Sequence, residues 1–266
     1  MRRTYVIGLI AVATFGLTGL AAFRFLDPRI RLPSEEASAA KYAQVVTSTA
    51  AKKPSTAVKS AVLPKNAPKM IKLDVPFIPE APGGNWTGPW KNACEEASML
   101  MVDKFYKGVN KVTDADAKKE MTLLFQYQDK MWGSNANSDS ARTVEIIRSQ
   151  LSYDADISAT PTVESIKAEI AAGHPVIMPV NGKELGNPNI PFLASGTFYH
   201  MLVVIGYDDT TGEFITNDDG DNKEGAGRRY KYAPFLASVH DYVAKTRKTN
   251  GPMLAIITSP RTSVVK

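Results

Sequence analysis

The feature that most constrains this fold is a change of hydrophobic period near Gly173. Upstream, apolar residues recur at helical spacing; downstream they fall in short β-rich runs. Ala97, Leu100, Met101 and Phe105 share one face of a helix predicted over 93–106 and stopped by Gly108. Asn92 is its expected N-cap, and Glu95 and Glu96 suit its positive end. Further helices are expected over about 114–131 behind Thr113, about 139–151 behind Ser138, and 162–172, stopped by Gly173. Then come the runs "HPVIMPV" (174–180) and "YHMLVVIGY" (199–207), the turn "DDTTG", the returning strand "EFITN" (213–217) and "RRYKY". A helix from Ala233 to about Arg247 and a last strand, "PMLAIIT", close the chain. Ahead of the first helix, "IKLDVPFIP" enters as a short strand, and a loop rich in Pro and Gly follows. Helices first and strands later make an α+β chain: a helical lobe followed by an antiparallel β lobe, with a cleft between them.

Charge divides the chain a second time. Residues 1–72 carry 12 Lys/Arg against 3 Asp/Glu, so the total of +5 leaves the remainder mildly acidic. That distribution does not suggest nucleic-acid binding. Arg2 and Arg3 precede an uncharged stretch from Thr4 to Phe23, long enough for a bilayer-spanning helix or an export signal. The expected organisation is a signal peptide or N-terminal membrane anchor over 1–24, a disordered basic linker over 25–70 that lacks core-forming residues, and a catalytic-type domain over 71–266. The location implied is extracytoplasmic, with the N-terminal segment as the contact with the membrane.

Cys94 is the single cysteine, so no internal disulfide or multi-cysteine metal framework is possible. At the start of a helix a thiolate is favoured, and the thiol is expected to titrate below its ordinary value of about 8.5. A nucleophile also needs a base. His174 reads as a turn residue and His240 as a surface helix residue, whereas His200 opens the most apolar strand. If 199–207 and 213–217 pair as a hairpin, partners sum to about 420, and His200 faces Asp218 and Asp219. An imidazole beside a carboxylate is the base-and-orienter pair that thiol catalysis requires. The same acidic turn fails the calcium-loop pattern, because position one relative to Gly220 would be Ile215.

With these residues in place, "LDVPFIPEAPGGNW…NACEEASMLMV", "GHPVIMPV" and "YHMLVVIGYDDTTGEFITND" resemble the papain-like, bacteriocin-processing (double-glycine) cysteine peptidases, family C thirty-nine, and their stand-alone bacterial relatives. The resemblance implies a papain-like fold and amide hydrolysis of a peptide or protein, without metal or other cofactor. It gives Cys94 the role of nucleophile, His200 that of base and Asp218 that of orienting carboxylate. Asp218 is preferred over Asp219 because relatives read Asn-Asp-Pro-Gly where this chain has Asn217-Asp218-Asp219-Gly220. Relatives also place a Gln upstream of the cysteine as oxyanion donor, and here that position holds Glu80. An ionised carboxylate only accepts hydrogen bonds, so the donor is either a protonated Glu80 or another group such as Asn92 or the Cys94 N–H. The same triad would also serve a peptidoglycan amidase or a transamidase, and the same cleft, catalytically silent, would serve a peptide-binding domain.

Overall fold

A computed structural model describes residues 61–190 and 199–261 of the 266. The expected signal or anchor segment, and the linker as far as residue 60, lie outside the described residues. Among the described residues no helix is long and apolar enough to cross a membrane.

The chain enters through β1 (Met70–Lys72) and two short 3-10 turns (Pro82–Gly84 and Gly88–Asn92), then forms α1 (Cys94–Tyr106), α2 (Asp114–Trp132) and α3 (Ser140–Gln150). There follow β2 (Tyr153–Ala159), α4 (Val163–Ala171), β3 (Val176–Asn181), the single turn α5 (Gly182–Leu185), β4 (Tyr199–Asp208), β5 (Glu213–Asn217), β6 (Ala226–Lys231), α6 (Tyr232–Ala237) and β7 (Leu254–Pro260). The strands form one open antiparallel sheet in the order β2-β7-β3-β4-β5-β6, and β1 pairs with the far end of β4. This is the expected α+β class, helices packed on an antiparallel sheet.

Local chemistry explains most of the helix starts. The Thr113 side chain accepts from Asp116 N at the head of α2, and Thr162 and Ser165 form a reciprocal capping box at α4. Two starts differ from expectation. Asp139, not Ser138, caps α3, and Asn92 does not cap α1, which has no side-chain cap from its neighbouring residue.

Two elements also depart from the sequence reading. The strand β2 falls between helices; only Tyr153 and Ala155 of its residues are buried, so its alternation is faint, and a full ladder with β7 holds it. The helix expected to reach Arg247 stops at Ala237. Beyond it Val239 bridges to Val180, and Asp241 accepts from the backbone N–H and hydroxyl of Ser140. These long-range bonds outweigh the local helical preference of the segment.

β4 is buried along its whole length and organises two cores. Met201, Val203 and Ile205 pack with Ala97, Leu100 and Met101 of α1, whereas Leu202, Val204 and Tyr207 pack with Ile166 and Ile170 of α4 and Phe235 of α6. Each fully buried aliphatic side chain stabilises the fold by roughly 1.5–3 kcal/mol relative to exposure. Ile205 and Tyr207 fall on opposite faces because a bulge lies between Val204 and Gly206. Gly206 is required there: a Cβ would stand 2.4 Å from the Ile71 carbonyl oxygen. The bulge also sets the register. Near the turn the pairing is Asp208 with Glu213 and Tyr207 with Phe214; past the bulge it is one residue tighter, Val204 with Thr216 and Val203 with Asn217. The expected sum of 420 therefore holds at the open end of the hairpin, where His200 lies.

Candidate active site

Three segments converge at the N-terminus of α1: the loop carrying Glu80, the start of β4 and the turn after β5. Their meeting is enforced by backbone bonds, since Glu80 N donates to Asp219 O at 2.9 Å. The Glu80 carboxylate takes over the missing cap, its Oε1 accepting from Ala93 N at 3.1 Å. Cys94 follows directly. One carboxylate oxygen of Glu80, the Cys94 sulfur and one ring nitrogen of His200 lie within 4.8 Å of one another, and all three residues are buried.

His200 is oriented from behind. Its Nε2 is 2.8 Å from Asp218 Oδ1. The other Asp218 oxygen accepts from Asn187 Nδ2 at 2.8 Å and from the Tyr230 hydroxyl. Asp219 is turned differently: its Oδ2 accepts from the Ser98 hydroxyl at 2.9 Å, and its Oδ1 stands 3.9 Å from His200 Nε2. Both aspartates belong to the turn after β5 and not to the strand, so they do not simply face opposite sides. Gly220 passes against the imidazole, where a Cβ would lie 3.0 Å from Cε1.

The site is acidic and buried. Glu80, Glu95, Glu96, Asp218 and Asp219 are all buried. Burial raises the proton affinity of Glu80 and Asp219, and each is pushed further by neighbouring carboxylates. Burial does the same to Glu95 and Glu96. Asp218 departs from this pattern: burial pushes it up, but the bonds from His200, Tyr230 and Asn187 together outweigh burial and hold it below the ordinary range. The Cys94 thiol donates to Glu95 Oε2 at 3.1 Å. Burial, and then the charges of Glu95, Glu80 and Asp219, push the thiol well above its ordinary value. The expectation of a thiol lowered by the helix N-terminus is thus reversed, because desolvation and three acids outweigh the macrodipole.

Asn92 is the residue before Ala93, whose N–H donates to Glu80. It lines a cavity of about 730 Å³ together with Asn181, Tyr199, Tyr242, Arg247 and Lys248. Several site residues were not expected in the site: Ser98 on the second turn of α1, Asn187 in the loop after α5, and Ser138, read as a helix cap, whose N–H donates to Glu95 Oε1 at 2.6 Å. Tyr230 was reachable, since the strand "RRYKY" pairs with β5.

Helices on an open antiparallel sheet, with a cysteine, a histidine and acids gathered at a helix start, define a cysteine-peptidase-like α+β domain. A model of the Peptidase_C39 like family matches residues 72–247, and the chain belongs to that family. Among solved structures it is similar to a protein described as a C39-like peptidase from Bacillus anthracis, at 14% identity and a TM-score of 0.47, covering 73% of this chain and 99% of that one. It is also similar to xylellain, a cysteine protease from Xylella fastidiosa, at 14% identity and a TM-score of 0.39, covering 78% and 91% of the two chains. No curated protein matches it in sequence.

Proposed function

We propose that the protein is a cysteine peptidase that cleaves amide bonds in peptides or proteins through Cys94, His200 and Asp218. The observation that carries this reading is the sulfur and the ring nitrogen within 4.8 Å of one another, with Asp218 2.8 Å behind the ring. Asp218 holds Nε2, so Nδ1 is the atom that exchanges the proton with the thiol. The thiol passes its proton to His200 as sulfur attacks the carbonyl carbon. The C–N bond then breaks, His200 protonates the leaving amine, and water hydrolyses the thioester. Asp218 keeps the ring oriented and stabilises the imidazolium.

The N–H of Cys94, at the first turn of α1, is the backbone donor for the oxyanion. Glu80 occupies the second donor position, and the substrate chain is placed in the cavity that Asn92 and Tyr199 line. The basic, then apolar, sequence of Met1 to Phe23 supports an extracytoplasmic location, with that segment as membrane anchor or export signal.

One observation favours a second reading, a peptide binder without turnover: Glu95 sits 3.1 Å from the sulfur and Glu80 close by, and both oppose a thiolate. A peptide-library cleavage screen on the full chain separates the two. Products formed by wild type and absent with Cys94→Ala establish the peptidase. Peptides retained but left intact by both proteins establish the binder.

A further inference from the structure

We propose that Glu80, Cys94 and His200 form a binding site for a zinc-like divalent ion, which occupies the candidate catalytic centre and blocks it. A carboxylate oxygen, a sulfur and an imidazole nitrogen are the donor types that Zn²⁺ takes. Here one of each lies within 4.8 Å of the others. Tetrahedral zinc with bonds of about 2.0–2.3 Å spaces its ligand atoms by about 3.3–3.8 Å, so side-chain adjustments of about 1 Å close the site.

Three further observations point to a cation and not merely to an acidic cluster. Glu80 Oε2 is buried and has no hydrogen-bond partner, while its sister oxygen is held by Ala93 N. Asp219 Oδ1 is likewise buried without a hydrogen-bond partner, 3.9 Å from the imidazole. An unpartnered buried carboxylate oxygen is costly, and a metal ion supplies the missing partner. The histidine is already backed as metal-bound histidines are: Asp218 takes Nε2, which leaves Nδ1 as the ring nitrogen for the ion. Glu95 Oε2, 3.1 Å from the sulfur, is placed to approach as a fourth ligand or to hold a bound water.

Binding takes Cys94 as thiolate and releases its proton to solvent, so the ion occupies the sulfur lone pair that a peptide carbonyl would need. The metal site itself is independent of the peptidase reading; only its inhibitory consequence rests on that reading. Glu80 is the residue that distinguishes it from a plain thiol–imidazole pair, because glutamine at the same place would offer a neutral amide.

The test titrates chelator-treated full-length protein with Co²⁺ and then competes it with Zn²⁺. Wild type is expected to bind one ion per chain with a near-ultraviolet sulfur-to-cobalt charge-transfer band. That band is lost in Cys94→Ala, and Kd rises by about tenfold or more in Glu80→Gln, at least the effect of disturbing an outer partner of a zinc ligand. Thermal melting of each variant without metal establishes that it is folded. Absence of the band in folded wild type, or equal affinity in wild type and Glu80→Gln, overturns the proposal. If Zn²⁺ binds as expected but Cys94-dependent peptide cleavage is not inhibited at matching concentrations, the blocking role is overturned; if the ion binds and chelator-treated wild type cleaves no peptide, the metal site stands and the peptidase reading fails.

Discussion

The two ends of the β4–β5 hairpin handle carboxylates in opposite ways. At the turn end, Asp208 and Glu213 are ion-paired with Arg229 at 3.0 and 3.1 Å, and Lys231 adds a second cation to Glu213. Hydrogen bonds from Thr210 and Arg229 bring Asp208 down to about 2, and Glu213 is lowered by Thr211 and Lys231. At the other end the neighbours of Asp219 are other acids, Glu80, Asp218 and Glu95, and burial pushes Asp219 up. At the first end each acid is answered by a cation. The second gathers buried charge that costs stability, which is the pattern of a site maintained for chemistry or ligand binding.

The largest expected effect at the acidic end is at Asp218. Asp218→Ala should lower turnover by on the order of 10²–10⁴-fold, because the imidazole loses its 2.8 Å partner. Asp219→Ala should lose far less, since Asp219 is bonded to Ser98 and stands 3.9 Å from the ring. Steady-state rates of the two variants on one peptide check this, and equal losses would mean that the two aspartates act as a pair.

Glu80→Gln comes next. Glutamine keeps the acceptor for Ala93 N and presents an N–H donor where Oε2 now has no partner. Turnover in chelator-treated protein should rise by on the order of a hundredfold, the lower end of the range associated with one oxyanion donor. An unchanged rate would place the oxyanion donor at Asn92 or the Cys94 N–H alone.

A buried acid outside the proposed triad gives a smaller, pH-dependent effect. Burial and the neighbouring Asp139 raise Asp241 to about 6. A raised carboxyl binds its proton more tightly in the folded state, so its contribution is present at low pH and is lost as pH rises from about 4 through about 6. Asp241→Asn should therefore raise Tm above pH 6 but not near pH 4, by no more than about 3 kcal/mol of stability. A Tm gain that does not vary with pH would assign the effect to packing. The smallest effect belongs to the turn end. Arg229→Ala should lower Tm slightly at neutral pH, and the difference should vanish as Asp208 is protonated near its value of about 2. A large loss at neutral pH would show the paired end to be more than a solvated ion-pair cluster.

What could be read from the sequence was what is local or periodic. The caps of α2 and α4 are short-range hydrogen bonds, and the hairpin arithmetic brought His200 to Asp218 because the bulge leaves the open-end register intact. What escaped was non-local. The head of α1 is held by Glu80, thirteen residues upstream, so Asn92 looked like its cap. Glu95 and Glu96 read as acids at a helix start, yet both are buried, and Glu95 accepts from the thiol and from Ser138 N. The expected lowering of the Cys94 thiol failed for the same reason: burial is invisible in a residue list. The overlong last helix failed because Val180 and Ser140, far away in the chain, bind the residues that follow Ala237.

The central claim is that Cys94 is a nucleophile driven by His200. Its most direct test is intact-mass measurement of full-length wild type and His200→Ala after exposure to a peptidyl acyloxymethyl ketone, with chelator present. The account predicts a single adduct on Cys94 in wild type, formed much more slowly in His200→Ala at equal fold stability. Equal labelling rates in the two proteins, or no adduct on folded wild type, would contradict it.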